Sequence, residues 1–270
     1  MTPEGQVTHP QLQLFATPKI DVSLADCYFY HVMEVPGIGL VGDEWDLRQG
    51  VDSYLGNLDF FGARVLEIGP ASGFLTVEME RRGANVVAVE IPDDPGWDFV
   101  PYPASVLQPI LGPRKATMTK IKNSFWYIHK AFSSRSTLIY GHIDQLAHDL
   151  GHFDIALIGS VLLHCGNPLH LISECAKRAD IIVISDMNYP ELEGQPICRL
   201  RPTAENLNWH TWWEFSTDMV MQFLAVIGFR SIRKSINGNF FHRGRAYKLF
   251  TIVASKRLEE GVHSSIAAHI

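Results

Sequence analysis

The sequence predicts an α/β protein: a mostly parallel β-sheet with helices on both faces, closed by a C-terminal antiparallel hairpin. Three observations carry this. Val65, Leu66 and Ile68 form a short apolar run ended by Gly69, and residues 86–89 form a second run after a helical stretch. Similar runs recur at 137–140, 153–158 and 181–184. Two β-rich stretches, 229–236 and 247–254, then follow one another closely. Short apolar runs bounded by turn residues are the pattern of strands buried on both faces.

Residues 64–90 are the organising unit. Gly69 and Gly73 permit backbone angles that a side chain forbids, and they let a ligand approach the main chain. Leu75 and Met79 mark one face of a helix that Gly83 stops. The second strand ends in Glu90, a carboxylate placed to accept hydrogen bonds from both hydroxyls of a ribose. Two ligand classes fit such a unit, a dinucleotide and S-adenosylmethionine (SAM). The dinucleotide fingerprint G-x-G-x-x-G matches poorly, because Ala71 stands between the only two glycines.

The 270 residues carry a net charge of −6 and are 46% hydrophobic. That supports one domain with additions and gives no general attraction to nucleic acid. No run reaches the ~18 apolar residues of a membrane helix, so no membrane partner is expected. The four cysteines form no C-x-x-C pair, which predicts reduced thiols in a cytoplasmic protein. The sequence leaves the oligomeric state open. Residues 1–25 read as a flexible arm, 26–60 as a cap segment, 61–255 as the main domain and 256–270 as a tail. Insertions are expected at 92–132 and 187–215.

Within the cap, residues 28–35 alternate and are aromatic, as in a strand. Trp45 and Arg48 follow in a segment that folds over the sheet edge and is expected to cover substrate. Residues 92–113, rich in Pro, Gly and Asp, read as a site-facing loop, and 115–131 as a helix. That helix carries Lys120, Lys122 and Lys130 on one side, the one basic patch of the chain. Residues 237–244 read as the loop of the C-terminal hairpin. His148 and His152 have the spacing of metal ligands, but Gly151 between them favours a loop, and no metal site is expected.

A family resemblance enters through several motifs. Glu67-x-Gly69-x-Ala71-x-Gly73 resembles motif I of class I SAM-dependent methyltransferases, with Ala71 in place of a central glycine. Phe153, Asp154, the run 160–164 and 167–169 are similar to the F-D…G-V-L-Y-H…P-L segment of the tRNA wobble-uridine (carboxymethoxy/methoxyuridine) methyltransferase-like family. Trp212, Trp213, Phe223, Gly228 and Phe229 resemble a later segment of that family, and Trp45 to Arg48 its N-terminal stretch. The resemblance implies a Rossmann-like sheet, SAM as cofactor and a methyltransferase. It places Gly69, Ala71 and Gly73 under the amino-acid part of SAM. It also puts Glu67 at that turn or its ammonium, Asp144 beside the adenine and Ser160 at the same site. The carboxy-SAM branch has Tyr before the histidine and Arg after it. Here Leu163 precedes His164 and Cys165 follows, so no cation stands there and plain SAM is expected.

His164 ends the fourth strand of the main sheet and is the leading catalytic candidate, as base or as a turn-capping structural residue. Asp186, at the end of the fifth, is the second. His210, Trp212 and Trp213 are candidate substrate-wall residues, with Trp209 beside them, and Glu191, Glu193 and Glu214 are further acids from the same crossover. The expected function is methylation of a small molecule, with O-methylation favoured. The rivals are an RNA-modifying methyltransferase and a non-catalytic SAM-binding module.

Overall fold

The computed structural model describes residues 15–93, 97–143, 146 and 150–258. In chain order it runs β1 (Met33–Val35), β2 (Gly39–Val41), β3 (Trp45–Asp46), α1 (Val51–Tyr54), β4 (Arg64–Ile68), α2 (Phe74–Arg81) and β5 (Asn85–Glu90). Then come α3 (Ala104–Ala131), β6 (Thr137–Tyr140), β7 (Phe153–Gly159), α4 (Pro168–Arg178) and β8 (Ala179–Met187). The last part is β9 (Cys198–Leu200), β10 (Trp213–Phe215), α5 (Thr217–Val226), β11 (Ser231–His242) and β12 (Arg245–Ser255).

The main sheet has eight strands in the order β3-β11-β12-β8-β7-β4-β5-β6. From β6 to β8 neighbours are parallel; β12, β11 and β3 are antiparallel additions. This is the Rossmann-like sheet with its closing hairpin. Alternate residues feed two apolar layers, as the two-residue period of a strand requires. Leu66, Ile158, Ile182 and Ile252 enter the layer under α4 and α5. Val65, Ile155, Val183 and Val253 enter the layer under α1 and α2. Each such fully buried aliphatic side chain contributes about 1.5–3 kcal/mol relative to exposure.

Two helices carry side-chain caps. The Asn167 side chain accepts from the His170 N–H at 3.2 Å, with Pro168 in the first turn of α4. Ser216 accepts from the Met219 N–H at 3.1 Å to start α5. Helix α2 instead starts from Gly73 at φ +88°.

Three expectations are corrected. Residues 104–113 are not loop but the first part of α3, with Pro109 and Pro113 inside the helix. Each proline removes a helical N–H, yet the carbonyl-bearing residues one turn back, Ser105 and Pro109, are exposed to water. The C-terminal hairpin loop is not 237–244; β11 continues to His242, with a register irregularity between Asn237 and Phe240, and Arg243 and Gly244 make the turn. That extension pairs Phe241 with Asp46 and His242 with Trp45, which fixes the cap to the sheet. The basic side of α3 is partly used internally. Lys122 is buried and bonds Asp93 at 2.7 Å, and the Lys130 ammonium donates to the Ile20 carbonyl at 2.8 Å. Residues 15–28 lie along α3 and β6 through that bond and two backbone donors, Ala16 N–H to the Leu138 carbonyl (2.7 Å) and Tyr28 N–H to the Lys120 carbonyl (3.2 Å).

Candidate active site

The strand order reverses between β4 and β7, and the crevice beyond their carboxyl ends is where open α/β sheets bind ligands. A cavity of about 640 Å³ lies there. Its size falls within the ~300–1,000 Å³ of small-molecule sites.

The turn after β4 forms its floor. Gly69 has φ +70° and its N–H donates to the Val89 carbonyl at 2.9 Å; a Cβ there would sit 2.9 Å from Val161. Ala71 holds φ +50° and lines the cavity with Gly69. Gly73 does not line it: its Cα faces Phe125 of α3, 3.2 Å from where a Cβ would lie. Glu90 does line it, and its carboxylate accepts from the N–H of Ile91 (2.9 Å) and of Ala71. Burial pushes its pKa up, opposed by those N–H donors and by Lys122 and Arg114.

Glu67 is buried on the opposite strand face and misses the cavity. It accepts from the Thr76 hydroxyl at 2.5 Å and so ties β4 to α2. Burial raises its pKa to about 8, against the Thr76 bond. That bond sits beneath the turn, off the cavity lining. Ser160, at φ +51°, lines the cavity and shares a 3.1 Å hydrogen bond with the Tyr54 hydroxyl.

His164 lines the cavity just after β7, and its Nδ1 lies 2.6 Å from the His210 carbonyl oxygen. A carbonyl only accepts, so Nδ1 carries the proton and Nε2 keeps its lone pair. Desolvation lowers its pKa to about 4, with the His210 carbonyl opposing and the His210 ring and Arg114 reinforcing. Asp186 misses the cavity and is buried. Its Oδ1 accepts from the N–H of Met187 (2.7 Å), and its Oδ2 is buried without a hydrogen-bond partner. Desolvation raises its pKa to about 7, against the Met187 bond and the nearby Leu163 N–H.

The substrate wall differs from the expected one. Trp45 and His210 line the cavity; Arg48, Trp212 and Trp213 do not. Arg48 is taken by Asp46 at 2.7 Å. The Trp212 indole N–H donates to the Asp98 carbonyl (2.8 Å) and that of Trp213 to the Gly166 carbonyl (3.3 Å), so both brace the loops around the site. Asp144 and His148 lie outside the described residues, and these hold no cluster of three metal-ligating side chains. Of the crossover acids, Glu214 bridges Arg199 and Arg201, and Glu193 bonds Lys234 at 2.8 Å.

Among the lining residues that escaped the sequence reading are Tyr30, Glu44, Trp97 and Arg114. Glu44 accepts from the Tyr28 hydroxyl, from His242 (3.1 Å) and from Arg243 (2.6 Å), joining cap to hairpin. The Arg114 guanidinium lies over the Trp97 ring at 4.3 Å, and Trp97 in turn meets the His164 ring edge-on at 4.8 Å. A cation therefore does stand near His164, supplied by α3 rather than by the residue that follows in sequence. Its signal was the i, i+4, i+7 spacing of Arg114, Met118 and Ile121, all three on the cavity. The two expected insertions also meet: the Val100 N–H donates to the Trp209 carbonyl at 3.0 Å and the Tyr102 hydroxyl to that of Thr203 at 2.7 Å.

The fold is that of the SAM-dependent methyltransferases. The N-terminal domain of EvdMO1, crystallised in the presence of SAH and D-fucose, is similar with a TM-score of 0.54 at 16% identity, over 85% of this chain and 91% of that one. Magnesium protoporphyrin IX methyltransferase from Synechocystis PCC 6803 with bound SAM gives a TM-score of 0.48 at 16% identity, over 77% and 78%. No protein-family model and no curated protein matches the sequence. No helix among the described residues is long and apolar enough to cross a membrane.

Proposed function

We propose that this chain is a SAM-dependent methyltransferase that methylates a hydroxyl group of a small molecule. The observation that carries this is His164: its Nδ1–H is held by the His210 carbonyl, its Nε2 is left as an acceptor, and it shares one cavity with Gly69, Ala71 and Glu90.

The donor set fits SAM. A buried carboxylate at the end of β5 and a close-approach turn at Gly69 suit a ribose and an amino-acid moiety. SAM supplies an electrophilic methyl group. Glu90 would hold the ribose hydroxyls, and the backbone at Gly69 and Ala71 would make room for the methionine part. His164 Nε2 accepts the acceptor's hydroxyl proton. A neutral imidazole of low proton affinity takes that proton only as the oxygen turns acidic during attack. Asp186 acts by holding the end of β8 through the Met187 N–H. Trp45, Trp97 and His210 exclude water and position the acceptor. Lys122 and Lys130 are engaged within the chain, which favours a small molecule over RNA.

The test is calorimetric titration with SAM, then an acceptor screen that reads formation of S-adenosylhomocysteine (SAH). SAM binding without turnover on any hydroxyl acceptor would leave a non-catalytic binding module.

A further inference from the structure

We propose that the acceptor is an aromatic carboxylate, and that Arg114 binds its carboxyl group. This rests on the methyltransferase reading and names the substrate class of the same cavity.

The argument starts from what Arg114 lacks. Its guanidinium makes no hydrogen bond or ion pair with any described residue, and its Nε is buried without a partner. Its interactions are with ring faces: Trp97 at 4.3 Å and Trp209 at 5.8 Å. With Nε buried, the guanidinium has its two terminal nitrogens left to offer, and these can receive a carboxylate through two parallel bonds. Glu90 and Glu44 favour its charge across the cavity, but neither carboxylate bonds it, so its own hydrogen-bonding groups are left for an anionic ligand. Asp98, another carboxylate on the cavity, is already used by the Gly166 N–H at 2.5 Å.

The surroundings say what the anion is attached to. Trp45, Trp97, Trp209 and Tyr30 line the same cavity, so the ligand body is flat and apolar. Arg114 stands one indole away from His164, which lies across Trp97. An acceptor that spans the two has its anion at Arg114 and its nucleophilic hydroxyl toward Nε2.

The experiment is calorimetry on the full chain. SAH is titrated first; no binding would sink the methyltransferase reading itself. With SAH bound, benzoate, 3-phenylpropanoate and indole-3-acetate are each compared with their methyl esters. At least one acid should bind at least about tenfold tighter than its ester, the gain of a charge-assisted pair. Arg114→Gln should abolish that preference while SAH affinity stays within about twofold, and Arg114→Lys should restore only part of it. Acids and esters that bind alike in the wild type overturn the proposal without any variant. So does an Arg114→Gln chain that loses SAH affinity instead, because the cation would then serve the cofactor.

Discussion

His164 donates its Nδ1 proton to the backbone carbonyl of His210, 46 residues away, at 2.6 Å. One bond thereby selects the tautomer of the ring and the spacing of the two elements that face each other across the cavity. His164→Ala should lower turnover about 10²–10⁴-fold, the usual worth of general-base help, with SAM affinity nearly intact. His164→Gln should not restore it. Steady-state kinetics beside SAM calorimetry reads both; an Ala variant with most of its activity would make this histidine structural.

The same ring sets a pH expectation. Its pKa is pushed down to about 4 by burial, so kcat/KM should hold down to about pH 4–5 and fail below it. An acid limb near pH 6.5 would mean that the ring is solvated in the working enzyme.

Asp186 separates positioning from proton transfer. Asp186→Asn keeps a side-chain oxygen for the Met187 N–H and should retain most activity. Asp186→Ala removes it and should lower kcat more than tenfold, at about 1.5–3 kcal/mol for a bond to a charged group. Equal losses in both variants would restore Asp186 as a base.

Glu67 gives a stability prediction. Its folded pKa, about 8, lies above the unfolded carboxylate value, so its contribution is full below about pH 4.3 and is lost as pH rises to 8. His31 and His164, lowered to about 4 by burial, act oppositely: their contribution is present above about pH 6.5 and is lost as pH falls to 4. Between pH 6.5 and 8 only the raised acids still titrate, at about 1.4 kcal/mol per unit each while inside their windows. Glu67→Gln should therefore gain in Tm relative to wild type between pH 5 and pH 8. A Tm difference that stays constant across that range would show a solvated carboxylate.

Glu90→Ala should weaken SAM binding by about 1–3 kcal/mol, the cost of unmade bonds to a buried ligand. Unchanged affinity by calorimetry would remove the ribose assignment.

The sheet and much of the floor of the site were legible in the sequence, because strand periodicity, turn glycines and a strand-end carboxylate are local signals. Gly69, Ala71 and Glu90 sit on the cavity as their positions suggested. What was not legible depended on distant pairing. Arg48 looked available until Asp46 took it two residues away. Trp212 and Trp213 looked like a wall, yet their indole N–H groups needed acceptors and found the carbonyls of Asp98 and Gly166. Arg114 was hidden by Pro109 and Pro113, which read as loop because proline removes a helical N–H and crowds the carbonyl one turn back; in α3 the residues bearing those carbonyls are exposed. Among these side chains the correction came from where water can reach.

The pairing of His242 with Trp45 means that the roof of the cavity joins the cap to the far end of the C-terminal hairpin. During synthesis the floor precedes β11, and the roof waits until β11 has emerged. A nascent or C-terminally shortened chain thus has a turn for the cofactor and no enclosure for the acceptor. Ligand capture becomes a report on completeness, and a chain cut before Arg243 loses the Glu44 clasp and the water exclusion in a single event.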